Sequence, residues 1–177
     1  VKDVKNNITE YTASKAIIIA TGARSRQLPN LKQDGNKIIG YREAMTLKEK
    51  PKKMVIVGSG AIGVEFAYFY NTIGTDVTLV EYLPQIVPIE DIDVSKQLEK
   101  SFKKSGMTIK TNSSVESVET SGKECIVKIK TEKGEEEIKC DIVLSAAGIE
   151  ANIENIGLED LGIVVDKGRI LVNDFYE

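Results

Sequence analysis

A chain of 177 residues, 41% of them hydrophobic, can bury one core, and its net charge of −3 argues against a nucleic-acid surface. No apolar run is long enough to span a bilayer and no secretory leader is evident, so a cytoplasmic protein with neither a membrane nor a nucleic-acid partner is expected. The absence of histidine removes the commonest general base and metal ligand, and with them most hydrolytic constellations and any expected metal site.

Residues 1–15 are polar, with one possible short strand around Ile8 to Thr12. Ala16 to Ala20 (AIIIA) is a continuous apolar run that predicts a strand buried on both faces, leaving the sheet sharply at Thr21-Gly22-Ala23. A loop with Pro29 follows, then the apolar pair Ile38 and Ile39, and Arg42 to Leu47 suits one or two helical turns. The lysine-rich segment Lys48 to Lys53 reads as a solvated connection into the next strand.

Met54 to Glu81 carries the strongest pattern, MVIVGSGAIGVEFAYFYNTIGTDVTLVE. Four apolar residues lead into Gly58-Ser59-Gly60-Ala61-Ile62-Gly63, and Ile62, Phe66, Phe69 and Ile73 then recur at helical spacing. Gly74 predicts the helix stop, Asp76 to Val80 a second strand, and Glu81 an acid at its end. Strand, glycine turn, helix, strand and acid make up the dinucleotide-binding fingerprint in its required context. In that pattern Gly58 permits the tight turn, Gly60 lets the backbone approach a pyrophosphate, and Gly63 lets the helix pack on the sheet. The helix start offers unpaired N–H groups to phosphates, and Glu81 falls near the roughly 20-residue spacing of an acid that binds a ribose diol. The bland alternatives are small residues that only let a helix pack, and a solvated strand end.

After a loop with Pro84 and Pro88, Asp91 or Asp93 can cap a helix in which Val94, Leu98 and Phe102 recur every fourth residue, with Gly106 as its stop. Short strands follow at Met107 to Thr111 and Val115 to Glu119, then at Ile126 to Thr131 and Glu136 to Cys140, divided by turns at Ser121-Gly122 and Lys133-Gly134. Asp141 to Ala147 is apolar enough for a covered strand, and Leu158 to Val165 and Arg169 to Val172 are short strand candidates. Cys125 and Cys140 are well separated in sequence and read as buried or half-buried free thiols rather than a close redox pair or a metal site. No internal repeat is present. The expected fold class is α/β, a Rossmann-like parallel sheet with helices, in which a three-stranded antiparallel meander replaces one crossover helix.

Six segments follow one another in order, beginning with ATGA at Ala20 to Ala23, PKKMVIVGSGAIGVE at Pro51 to Glu65, and DVTLVEYLPQIVP at Asp76 to Pro88. They continue with DIDVSKQLEKSFKKSG at Asp91 to Gly106, CDIVLSAAGIEAN at Cys140 to Asn152, and GLEDLGI at Gly157 to Ile163. On these segments the chain resembles the pyridine-nucleotide–disulfide oxidoreductases, in the branch that oxidises dihydrolipoamide, and the resemblance covers nearly its whole length. It implies an FAD/NAD(P)-binding fold and a piece of a longer enzyme. Residues 1–24 would close the first part of a flavin-binding domain, residues 25–150 would be the NAD-binding domain, and residues 151–177 would begin the return to the flavin domain. The redox cysteine pair, the catalytic histidine and the flavin fingerprint would lie outside this chain, leaving no catalytic residue within it.

Carried over by position, the resemblance implies that Gly58, Ser59, Gly60, Ala61, Ile62, Gly63 and Val64 contact NAD around its pyrophosphate. Glu81 would take the adenosine ribose, Glu65 would lie near nicotinamide and flavin, Val115 near the adenine end, and Gly148 close to the nucleotide. Thr21 and Gly22 would lie near FAD. Ile149 departs from the family, where many members have arginine. On residues alone, Glu65 could instead favour the first helical turn through the helix dipole, and Val115 could be core. The implied parent reaction passes electrons between dihydrolipoamide and NAD through FAD and an enzyme disulfide. Implied partners are NAD(H), a lipoamide-bearing 2-oxo acid dehydrogenase complex or the glycine cleavage system, and a second copy in a homodimer. Rival readings are a non-catalytic regulatory NAD-binding module and a methyltransferase that uses a similar turn, the latter disfavoured by the third glycine and the meander.

Overall fold

The computed structural model describes residues 1–122 and 124–177. In chain order the strands are β1 (Ala23–Ser25), β2 (Ile38–Ile39), β3 (Lys53–Val57), β4 (Asp76–Val80), β5 (Thr108–Lys110), β6 (Ser114–Ser121), β7 (Glu124–Thr131), β8 (Gly134–Cys140), β9 (Ile142–Ser145), β10 (Ile149–Ala151), β11 (Val165–Asp166) and β12 (Arg169–Ile170). The helices are α1 (Tyr41–Ala44), α2 (Ala61–Thr72) and α3 (Ile92–Lys104). Two compact units result: Arg24–Glu150, and Val1–Ala23 together with Ala151–Glu177.

The larger unit is built on a five-stranded sheet in the order β2-β9-β3-β4-β5, parallel throughout. Its central strand β3 is buried over Met54 to Val57, as an unbroken apolar run requires when both faces are covered. Alternate side chains serve two cores. Met54, Ile56, Val77, Leu79 and Leu144 pack against Val64, Ala67 and Tyr70 of α2 and Phe102 of α3. Val55, Val57, Val80 and Val143 face the other way, onto Val115, Cys125, Val127, Ile129 and Cys140. That second layer is the antiparallel meander β6-β7-β8, which carries the chain from β5 across to β9 in place of a helix.

Helix termini follow the expected chemistry. Asp91 caps α3 by accepting the Asp93 N–H at 2.8 Å. Gly74 and Gly106 take left-handed φ values of 90° and 93° just past α2 and α3. At each the Schellman pair forms: Thr75 N–H to the Tyr70 carbonyl with Gly74 N–H to Asn71, and Met107 N–H to Phe102 with Gly106 N–H to Lys103.

Several expectations are corrected. The packed stripe of α2 is Gly63, Val64, Ala67 and Tyr70, with Ile62 and Phe66 only at its edge and Phe69 and Ile73 exposed. Gly63, Val64 and Ala67 are small where the helix starts on the sheet, and buried Tyr70 fills the far end of the stripe with its hydroxyl donating to the Ala44 carbonyl. In α3 the inward residues are Ser95, Leu98 and Phe102, while Val94 is exposed; Ser95 is accommodated because its hydroxyl donates to the Ile86 carbonyl at 2.7 Å. Ala16 to Ala20 forms no strand, and Ile17 and Ile18 are 79% and 87% exposed. A two-sided strand needs hydrogen-bonded neighbours on both edges, and this run finds none among the described residues. Around Ile8 there is only an isolated bridge to Lys2. Within Leu158 to Val165 a 3-10 turn, Glu159–Leu161, replaces most of the expected strand, and only the two-residue strands β11 and β12 pair beyond it.

Candidate functional site

Strand β3 continues to β4 on one side through α2, whereas β9 returns on its other side through the meander. The crevice outside the carboxyl ends of β3 and β9 is therefore a topological switch point, where open α/β sheets hold their ligands. The glycine turn fills this place. Gly58 has φ +97°, and a Cβ there would lie 2.6 Å from the carbonyl oxygen of Ala146, the residue that follows β9. A Cβ on Gly63 would overlap the Gly58 carbonyl oxygen, so a side chain there would push α2 off the turn. Around Gly60 the opposite holds, with no atom within 4 Å of where a Cβ would stand. The first two glycines let the protein close on itself, and the third keeps a clear approach to the backbone.

Gly60 is the N-cap of α2 and provides no side-chain cap. The first helical bond is Val64 N–H to the Gly60 carbonyl, 3.1 Å, so the N–H groups of Ala61, Ile62 and Gly63 precede the intrahelical ladder. No acidic side chain lies in the first turn to neutralise the positive end. A polyanion such as a pyrophosphate fits this open, donor-rich helix start.

Glu81 is buried at 7% exposure and bends back over the turn. Its Oε2 accepts the Ser59 N–H at 2.8 Å and the Ser59 hydroxyl at 2.6 Å, and its Oε1 accepts the Leu83 N–H at 2.8 Å. Three of the roughly four acceptor positions of a carboxylate are thereby taken, leaving about one, on Oε1. The Ser59 carbonyl in turn accepts from Val87 N–H at 2.9 Å, so the turn, the end of β4 and the loop beyond it form one hydrogen-bonded unit.

The remaining sequence candidates divide clearly. Glu65 is exposed on α2 just past its first turn, so a first-turn dipole role does not account for it. Val115 is 7% exposed within the meander core, and its carbonyl accepts from the Asn30 side chain, so its side chain belongs to packing. Gly148 is exposed, at φ +102°, two residues past Ala146. Thr21 and Gly22 belong to the other unit, where Asn152 N–H donates to the Gly22 carbonyl at 2.9 Å.

Two further residues, Ser145 and Arg26, enter the site without a sequence signal, and Ser59, expected at the turn, also takes a part its position did not show. Ser59 is fully buried and orders Glu81. The Ser145 hydroxyl, at the end of β9 opposite Val57, is buried with no hydrogen-bond partner. Arg26 places its guanidinium carbon 4.0 Å from where a Gly148 Cβ would stand. Spacing could not reveal them, because each depends on strands that meet from distant parts of the chain. Among the described residues no cluster could hold a metal ion, and no helix is long and apolar enough to cross a membrane.

Known proteins share this arrangement. The dihydrolipoyl dehydrogenase of Rhizobium etli is 43% identical over 175 residues, and that of Zymomonas mobilis 44% identical over 163. These alignments cover 98% and 92% of this chain but 36% and 35% of the relatives, so the chain spans about a third of their length. The crystal structure of LpdA from Mycobacterium tuberculosis superimposes with a TM-score of 0.85 at 31% identity, over 98% of this chain and 37% of that one. The HOCl-induced flavoprotein disulfide reductase RclA of Escherichia coli follows with a TM-score of 0.73 at 26% identity, over 87% of this chain and 35% of that one. Residues 1–177 match the pyridine nucleotide-disulphide oxidoreductase family from end to end, and the chain belongs to it.

Proposed function

We propose that this chain is the NAD-docking part of a flavoprotein that oxidises dihydrolipoamide with NAD. The carrying observation is the turn at the switch point, closed at Gly58 and Gly63, open at Gly60, and tied through Ser59 to a buried acid at the end of β4. The dihydrolipoyl dehydrogenases that share 43–44% of its residues supply the substrate class. In this reading the N–H groups of Ala61, Ile62 and Gly63 hold the pyrophosphate, and Gly60 admits it to the backbone. Glu81 accepts a ribose hydroxyl through Oε1, and exposed Glu65 borders the nicotinamide side. When bound, NAD and FAD supply the redox chemistry, and the flavin, the redox disulfide and the catalytic histidine belong to the remainder of the parent protein. Residues 1–24 and 151–177 are assigned to the flavin-binding half, with Thr21 and Gly22 near the FAD nucleotide. The parent works in the cytoplasm as a homodimer serving a lipoamide-bearing complex.

The acid end of β4 sets the coenzyme preference. A 2′-phosphate removes a hydroxyl donor and brings about −1.5 to −2 charges against Glu81. At about 4 Å each charge pair costs about 1–4 kcal/mol, which gives a preference for NAD over NADP of about tenfold to several-hundred-fold. Titration calorimetry of both coenzymes against the parent should show this preference, and Glu81→Ala should weaken NAD while narrowing the ratio. Equal affinities in the parent, or an unchanged ratio in the variant, would remove Glu81 from the ribose site.

A further inference from the structure

The antiparallel register of β7 and β8 makes Cys125 and Cys140 direct cross-strand partners. Opposed residues in such a pair have Cα atoms about 4.5 or 5.5 Å apart, inside the roughly 4.4–6.8 Å that a disulfide spans. Both side chains lie in the same core with Val55, Val127 and Val143, at 0% and 3% exposure. The Cys125 thiol donates to the Asp141 carbonyl at 3.7 Å. Both are free, and nothing in the nucleotide site uses them.

We propose that Cys125 and Cys140 form an oxidisable dithiol, which low-molecular-weight disulfides convert to a bond joining β7 to β8. One thiolate attacks the small disulfide, forming a mixed disulfide and expelling one small thiolate. The second cysteine then displaces the other small thiolate and closes the Cys125–Cys140 bond. Two electrons pass from the cysteines to the oxidant, and their two protons leave to solvent or to the expelled thiolates.

Burial governs the rate. It pushes both thiols up, Cys140 to about 12, so little thiolate exists at neutral pH. The charged groups that face the pair are Lys37, which favours the Cys125 thiolate, and Asp34 and Asp141, which oppose it. Oxidation therefore waits on local opening and quickens with alkalinity, about tenfold per pH unit while the thiols stay mostly protonated.

The position of the bond sets its consequence. Cys140 precedes Asp141, whose carboxylate accepts the N–H groups of Lys52 and Lys53 at 2.8 and 2.9 Å, at the start of β3. This is the end of the sheet opposite the glycine turn, so the disulfide should raise thermal stability by shrinking the unfolded ensemble and leave nucleotide affinity unchanged.

The test treats the reduced parent protein with oxidised glutathione at several pH values, alkylates residual thiols and maps tryptic peptides. The expected product joins Glu124–Lys128 to Cys140–Lys167, two hydrogens lighter than the sum of the reduced peptides. It should form faster as pH rises and be accompanied by a higher melting temperature and an unaltered NAD isotherm. Cys125→Ser and Cys140→Ser should each abolish the linked peptide and leave the other cysteine as the glutathione mixed disulfide. The proposal is overturned if both wild-type peptides are recovered alkylated or separately glutathionylated while dithiothreitol in a parallel tube is fully oxidised. A linked product that lowers the melting temperature would overturn the stapling role.

Discussion

Glu81 and Glu65 are both acids near a helix start, yet burial gives them different work. Glu81 is fixed by three hydrogen bonds and can act only through the acceptor position left on Oε1. Glu65 stands exposed on α2, with no hydrogen-bond or ion-pair partner among the described residues, so its carboxylate is free to meet whatever packs above the helix. Replacing it should leave the fold intact. In the parent, Glu65→Gln should slow flavin–nicotinamide electron transfer more than it weakens NAD binding, because the pyrophosphate donors are unchanged. Rapid-reaction spectroscopy beside an equilibrium titration separates the two effects, and an unchanged transfer rate would leave Glu65 as a solvated helix residue.

At the scale of elements, the two long helices are bounded by specific caps rather than by composition. α3 depends on Asp91, because its exposed start has no other side-chain acceptor for the Asp93 N–H. Asp91→Ala should cost about 1 kcal/mol. That is a fall of about 2–4 °C in melting temperature for a domain of this size class. Asp91→Asn keeps the acceptor and should recover most of the loss in the same thermal scan. An equal loss in both variants would assign the effect to the carboxylate's charge at the helix end rather than to the cap.

At the scale of the whole molecule, the two units differ in how completely they bury their apolar residues. The sheet, helices and meander of Arg24–Glu150 enclose two continuous cores. The unit formed by Val1–Ala23 and Ala151–Glu177 leaves Ile17, Ile18, Leu171 and Phe175 exposed. If these segments belong to a flavin-binding half, the 177 residues purified alone should retain no stoichiometric flavin and should not reduce lipoamide with NADH. A visible absorption spectrum and a lipoamide assay check this, and a stoichiometric flavin band would refute the assignment.

Local chemistry was legible in the sequence wherever a single segment supplied both partners. The β3–turn–α2–β4 unit, the Gly74 and Gly106 stops and the Asp91 cap all follow from neighbours along the chain. So did the meander, because hairpins join consecutive strands. Other features were set only by elements that meet across the fold. Ala16 to Ala20 has the composition of a central strand but finds no strand partner on either edge among the described residues. The inward stripe of α2 is Gly63, Val64, Ala67 and Tyr70, set by how the helix docks on the sheet, which helical periodicity alone does not encode. The bond from Ser59 to Glu81 joins the ends of two adjacent parallel strands. The opposition of Cys125 and Cys140 comes from strand register, which no spacing in the sequence states. Sequence determines which groups are available and what short-range structure they favour; the parallel sheet, whose neighbours are distant in the chain, decides which of them touch.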